Sequence, residues 1–341
     1  MRNKIFNSAI VIVTACIFLS FFIFTKGLSS LVKEIKGLNM QWLLLAVIGI
    51  IIFWLLEAII LYVITKTIYK TGHLFFKSIK FAMIGQFFSG ITPFASGSQP
   101  AQLYAMTDNG IPAGPSASIL MIKFIIHQVT LTFYCIVVLF FKFNYFNQRI
   151  PYFLYFCLFG FVFNTVIIFF ALLFSVSSKM TGSMLWIFLR ILARVKLVKN
   201  IEYKYKELQN ELSSFHENSA VIATHIGMCI YSSVLTLLQW TVYYSIPYFI
   251  YRSFGFSSAD LLTIISAQVF LTMFMSYIPL PGAIGGAEGG FYLIFSLFFT
   301  AGTIIPAIFL WRVITYYSSI GAGSLFSTLG SNSKRKKRQE H

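Results

Sequence analysis

Residues 277–291 read Tyr-Ile-Pro-Leu-Pro-Gly-Ala-Ile-Gly-Gly-Ala-Glu-Gly-Gly-Phe, two prolines and five glycines around one carboxylate, Glu288. Such a stretch cannot continue a helix, because proline lacks the amide donor and clashes with the preceding turn while glycine frees the backbone. Its flanks, residues 261–278 and 291–299, are nevertheless strongly apolar. Irregular backbone at membrane depth is tolerated only where protein or a water-filled cavity satisfies its polar groups, so the stretch points to an intramembrane site. Residues 85–104 resemble it, with Thr92-Pro-Phe-Ala-Ser-Gly-Ser-Gln-Pro-Ala-Gln102 at their centre.

The membrane reading follows from composition. With 57% hydrophobic and 11% charged residues, the chain has too little polar surface to cover a soluble fold of this size. Continuous apolar runs of about 18 residues or more recur, the length a helix needs to cross about 30 Å of hydrocarbon. The runs do not alternate, which excludes a barrel. The fold expected is an all-α, polytopic bundle with about six full spans and two re-entrant or broken helical regions. The net charge of +16 would suggest nucleic acid in a soluble protein. Here the basic residues sit in loops and tails between spans, a topological signature, so no nucleic-acid partner is expected. Cys16, Cys135, Cys157 and Cys229 lie in apolar segments without ligand-like spacing, so neither disulfide nor metal is expected.

The spans are placed at residues 5–25, 41–65, 116–141, 152–176, 220–251 and 304–329. The first carries Arg2 and Lys4 before it and has no small-residue cleavage site, so it reads as uncleaved with a cytoplasmic N-terminus. A short interfacial helix follows over residues 28–38. The broken regions cover residues 81–109 and 261–299. Residues 178–219 form a polar insertion with Ile201, Tyr205, Leu208, Leu212 and Phe215 at helical spacing, an amphipathic helix supported by a Glu202–Lys206 pair. It is expected to rest on the membrane or the bundle, or else to dock a partner. The tail 330–341 holds Lys334-Arg-Lys-Lys-Arg338, a patch for anionic lipid.

Both termini and the strongly basic loops must be cytoplasmic, so the two broken regions enter from opposite faces. That is an inverted-topology repeat, with halves at about residues 1–177 and 220–329 within one transmembrane domain, a plan in which substrate binds at the midplane between interrupted helices. With an offset of 188 residues, Pro93, Gly97 and Tyr104 fall on Pro281, Gly285 and Tyr292.

Ionisable residues at membrane depth are candidates for function by default. Lys123, His127, Thr130 and Tyr134 form one polar stripe, and His225, Ser232, Thr236, Gln239 and Tyr243 a second. The neutral members have an alternative role in helix–helix hydrogen bonding. Arg312, with Tyr316 four residues on, and the carboxylates Glu57 and Glu288 complete the set. Glu288 and Arg312 either form a structural ion pair or face substrate. Arginine suits a phosphate, and helix N-termini at the breaks add donors for an anion. No nucleotide-binding loop, nucleophile elbow or metal motif is present, so no catalytic residues and no cofactor are expected.

Three ordered motifs, Thr92 to Gln102, then Pro279-Leu-Pro-Gly-Ala-Ile-Gly-Gly-Ala-Glu288, then Trp311-Arg-Val-Ile-Thr-Tyr-Tyr317, resemble the membrane region of lysylphosphatidylglycerol synthases and of related stand-alone flippase-like proteins. The resemblance spans nearly the whole chain. In the full-length members a membrane domain translocates aminoacylated phosphatidylglycerol, and a separate soluble domain transfers lysine to the lipid. The resemblance implies a membrane lipid translocase without the aminoacyl-transfer domain, acting on a phospholipid partner. The residues it carries over are Pro93, Gly97, Gln99, Gln102, Pro281, Gly282, Gly285, Glu288, Arg312 and Tyr316, with Pro279 as a further hinge in the same motif. Ser98 stands where the family often has glycine. Glu57, Lys123 and His127 rest on the cost of burial alone. The expected function is translocation of an anionic or aminoacylated phospholipid headgroup in the cell membrane. Its rivals are a membrane component of phosphatidylglycerol lysyltransferase activity and a non-transporting scaffold, and homo-oligomerisation stays open.

Overall fold

The computed structural model describes residues 37–69, 72–151, 153–194, 200–220, 224–276 and 278–337. The expected first span, nearly all of the interfacial helix, Cys16, Lys70, Tyr277, Arg338 and the side chains of the basic tail lie outside the described residues.

The described chain is helical throughout, with no strand. Its order is α1 (Met40–Ile68), α2 (Leu74–Ile91), a tight turn at Pro93–Ala95, α3 (Ser98–Asp108), α4 (Ala113–Asn147), α5 (Phe153–Val176), α6 (Ser178–Arg194), α7 (Ile201–Ser219), α8 (Ile226–Ser253), α9 (Leu261–Met275), a second turn at Pro281–Ala283, α10 (Gly286–Phe295), α11 (Ile304–Arg312), a π-turn at Val313–Tyr317 and α12 (Ser318–Lys337). Five helical stretches are long and apolar enough to cross a membrane: α1, α4, α5, α8 and Ile304–Ser327. These match the second to sixth expected spans. In contrast, α3 and α10 have 11 and 10 residues, a rise of about 15–17 Å at 1.5 Å per residue, and cannot cross alone.

The spans are apolar on all sides, as helices are when one face meets protein and the other meets lipid. On α1, Leu43, Ala46, Ile50 and Phe53 are buried while Leu44, Leu45, Ile48 and Ile52 are exposed. The buried face of α1 packs against α8, the most extensive helix pair in the molecule. α9 is enclosed by its neighbours, with Thr263 through Leu271 all buried. Its start is fixed by Asp260, which accepts from Thr263 N and Thr263 Oγ1, both at 2.8 Å. Burial alone would raise the Asp260 carboxyl, but the Thr263 hydrogen bonds and the Lys142 ammonium at 3.4 Å hold it below its ordinary 3.8. α8 runs unbroken through Pro247.

The same order recurs across the offset of 188 residues seen in the sequence. α1, α2, the first turn, α3 and α4 correspond to α8, α9, the second turn, α10 and the α11–α12 rod. The helix after each turn starts at the equivalent residue, Ser98 and Gly286. α5, α6 and α7 lie between the two sets.

α7 places its apolar face on the protein itself, against α4, α5 and α6. Phe215 is buried, Ser118 Oγ donates to Phe215 O at 2.9 Å, and Gly114 N donates to the Glu211 carboxylate. His216 sits between Ser175 O at 3.1 Å and Thr181 Oγ1 at 2.7 Å, tying α7 to the α5–α6 corner. The recorded ion pair on this helix is Lys204–Glu207 at 2.7 Å, three residues apart rather than the expected Glu202–Lys206.

Candidate functional site

The two turns touch each other, and α2 touches both. Each turn is entered through an extended residue before a proline: Thr92 at φ −119°, ψ 145°, directly after α2, and Leu280 at φ −118°, ψ 148°, five residues beyond the end of α9 at Met275. A residue before proline is pushed out of the helical region by the ring. The chain then enters the left-handed region at Phe94 (φ 53°) and Ala95 (φ 55°), and at Gly282 (φ 58°) and Ala283 (φ 52°). Ser98, where the family often has glycine, lies in α3 beyond the left-handed residues and needs no glycine freedom.

The second turn is built around an ion pair. Arg312 Nε donates to Glu288 Oε1 at 2.6 Å, and Arg312 Nη1 donates to Gly282 O at 3.0 Å. The other carboxylate oxygen, Glu288 Oε2, accepts from Gly285 N at 2.6 Å. The Arg312 side chain is 2% exposed and that of Glu288 10%. A carboxylate in the first turn of α10 is favoured by the helix dipole and satisfies a donor the helix leaves open. The Arg312 guanidinium lies 5.0 Å from the Tyr316 ring and 5.2 Å from the Trp311 ring. Its third nitrogen, Nη2, is buried and has no hydrogen-bond partner. A fully desolvated guanidinium normally fills its five donors, so Nη2 is an open position for an acceptor.

Tyr316 joins the two turns. Its hydroxyl donates to Gly90 O, next to the first turn, at 3.0 Å. Its ring covers Gly282 so closely that a Cβ there would fall 2.2 Å from the ring. Arg312 ends α11 and Tyr316 lies in the π-turn that follows. A π-turn widens the helix by one residue per turn, and such bulges recur at functional sites.

The first turn is braced by neutral groups. Thr92 Oγ1 donates to Phe88 O at 2.6 Å and accepts from Gly97 N at 2.9 Å. Gly97 is close-packed rather than left-handed, since a Cβ would meet Thr92 at 2.6 Å. Pro93 and Gln99 are exposed. Gln102 is buried and donates from Nε2 to Phe81 O at 3.2 Å, tying α3 to α2. Pro279 is exposed and Pro281 half-buried at the approach to the second turn.

Glu57, Lys123 and His127 form a separate cluster where α1, α4 and α8 meet. Glu57 Oε1 pairs with Lys123 Nζ, and Glu57 Oε2 accepts from Gln239 Nε2 at 2.9 Å. Trp240 Nε1 donates to His127 Nδ1 at 3.1 Å, and Thr241 Oγ1 donates to Tyr134 OH at 3.3 Å. The α4 stripe is thus largely spent on α1 and α8. Thr92, Gly90 and Trp240 were not among the residues chosen from the sequence. The signal for Trp240 was its place beside Gln239 in the α8 stripe, since a buried indole nitrogen needs an acceptor.

The site therefore combines two touching helix breaks, one buried arginine with an unfilled donor, and a tyrosine spanning both breaks. An archaeal protein described as a UPF0104 membrane protein, from Archaeoglobus fulgidus, is 26% identical over 316 residues, covering 85% of this chain and 87% of its own. The family described as the lysylphosphatidylglycerol synthase TM region matches residues 7–323. A match of that extent, carrying both turns and the Glu288–Arg312 pair, means that this multi-pass membrane protein belongs to the lysylphosphatidylglycerol synthase transmembrane-region family.

Proposed function

We propose that the chain is a lipid translocase of the cell membrane that moves an anionic or aminoacylated phospholipid headgroup, of the phosphatidylglycerol type, between leaflets. The observation that carries this reading is Arg312 Nη2, a buried and unfilled guanidinium donor where two broken helices meet. A phosphate oxygen satisfies such a donor, and α3 and α10 each begin three residues after one of the two touching turns. Glu288 holds the rest of the guanidinium in place and offers a carboxylate to a cationic headgroup.

In this reading the two sets of corresponding helices are inverted repeats. Lys66, Lys77, Lys80, α6–α7 and the tail face the cytoplasm, the first turn enters from that side and the second from the other. A docking scaffold is less well supported, because α7 spends its apolar face on α4, α5 and α6.

The test uses the full chain in vesicles of phosphatidylcholine containing fluorescent phosphatidylglycerol or its lysyl ester, with outer-leaflet quenching over time. Translocation above protein-free vesicles, reduced at least tenfold by Arg312→Lys, is expected. Equal rates with and without protein for every anionic lipid tried would refute it.

A further inference from the structure

The Glu57 cluster is, among the described residues, a second place where ionisable groups are drawn in between the spans, here half-buried. An indole nitrogen only donates, so the 3.1 Å bond from Trp240 Nε1 means that His127 Nδ1 carries a lone pair and the ring is uncharged. Glu57 on α1 and Lys123 on α4 are the charged groups acting on His127. The ionisable groups acting on Glu57 are in turn Lys123 and His127. On α8 the facing groups Gln239 and Trp240 are neutral, and the rings of Tyr243 (edge-on) and Tyr244 (tilted) lie 5.4 and 5.2 Å from that of Trp240. With Glu57 and Lys123 paired, the set is electrically neutral, and the basic nitrogen His127 Nδ1 is occupied in holding Trp240.

Position adds a second argument. α1 and α4 belong to the first set of corresponding helices and α8 to the second, so the Gln239–Glu57 and Trp240–His127 bonds both cross the seam between the sets. If the sets rock against each other to move a headgroup, these bonds are among those that must break.

We propose that His127, with Glu57 and Lys123, is a proton-binding site that couples headgroup movement to a transmembrane proton gradient; this rests on the translocase reading above. A proton from the aqueous phase bonds to His127 Nδ1, using the lone pair that Trp240 had taken. The indole loses its acceptor, and the imidazolium becomes a second cation beside the single Glu57 carboxylate. An added charge in a half-buried neutral cluster is relieved by admitting water or by an anion nearby. Opening of the seam and arrival of an anionic headgroup are therefore both favoured by the proton. Loss of the Nδ1 proton to the opposite side restores the neutral ring and the closed seam.

The experiment has two arms on the full chain. In nanodiscs, histidine ring resonances are followed with pH, His127 being assigned by its loss in His127→Gln. His127 should titrate, with the Trp240 indole signal moving at the same midpoint. Trp240→Phe removes the donor that favours the neutral ring and should raise the midpoint by about half to one pH unit, the worth of one hydrogen bond. In vesicles, a pH gradient of about one unit should change the initial rate of lipid movement several-fold, and His127→Gln should abolish that response. If His127→Gln does not fold, Trp240→Phe replaces it: the histidine whose midpoint rises is His127, and the pH dependence of lipid movement should shift by the same amount.

Titration of His127 without lipid movement would support the proton site and remove the translocase reading. Lipid movement that ignores the gradient would overturn the proton coupling and leave the translocase intact. Absence of any His127 titration over the pH range in which the protein stays folded would overturn it outright.

Discussion

Residues 92–95 and 280–283 follow one backbone path and share almost none of the chemistry that holds it. Their extended entry residues agree within 3° in φ and ψ, and both left-handed positions agree within 5° in φ. The second turn is clamped by Glu288, Arg312 and the Tyr316 ring. The first is held by Thr92 and Ser96 hydroxyls, with Ser96 Oγ donating to Pro93 O at 2.8 Å. Phe94 is 59% exposed where Gly282 is covered by Tyr316. The shared path must therefore come from what the two turns have in common: an extended residue before a proline, a short following helix, and each other as neighbours. The second turn is thus the more heavily braced of the two.

The largest expected effect is at the clamp. Arg312→Ala leaves Glu288 buried and unpaired, and should cost about 3–5 kcal/mol in reversible unfolding of the detergent-solubilised protein. A loss below about 1 kcal/mol would mean the pair is solvated, and the contrast between the turns would collapse.

Gly282→Ala comes next. The new Cβ would lie 2.2 Å from the Tyr316 ring on a backbone at φ 58°. Overpacking and left-handed strain together predict a loss of about 2–4 kcal/mol by the same measurement. Recovery in the Gly282→Ala/Tyr316→Ala double variant would identify the ring as the cause.

Phe94→Gly, at the equivalent position of the first turn, should have the opposite sign. It relieves left-handed strain and loses little packing. After the entropy cost of glycine, a gain of about 0.5 kcal/mol is expected. A clear loss would mean that Phe94 is held by contacts the comparison ignores.

The smallest effect separates the helices that lead into the turns. α9 starts at the Asp260 cap, while α2 starts after His73, which is left-handed and makes no side-chain cap. The folded Asp260 carboxyl lies below its ordinary 3.8. Its contribution is therefore complete above that pH and fades as pH falls through the lower folded value. Hydrogen exchange at the Thr263 amide should rise on acidification below about pH 4, relative to that expected for the intrinsic rate, and Asp260→Ala should show the raised exchange at pH 7. Unchanged protection in that variant would show the cap to be dispensable.

Much of the architecture was legible because membranes impose simple rules on sequence. Apolar runs located α1, α4, α5, α8 and the last rod, and glycine and proline located both turns. The offset of 188 residues was visible in three residues, although only the backbone extends it across four helices and the turn. Glu288 and Arg312 were legible as a pair or a site because burial of charge is costly. Their hydrogen bonds to Gly285 N and Gly282 O were not, because they depend on how the turn folds back. The α4 stripe was legible as polar, but not the partners that consume it: the Trp240–His127 and Glu57–Lys123 contacts join residues 113 and 66 positions apart.

By itself, then, the sequence determined that the chain is a helical membrane protein with two breaks, since hydropathy, proline and glycine act locally and are read locally. Only the tertiary structure decided that the breaks touch, that Arg312 is clamped with one nitrogen left open, and that Tyr316 reaches Gly90 across 226 residues. Those are properties of packing between distant segments, and residue type limits what a side chain can bond to without specifying which partner the fold brings within reach.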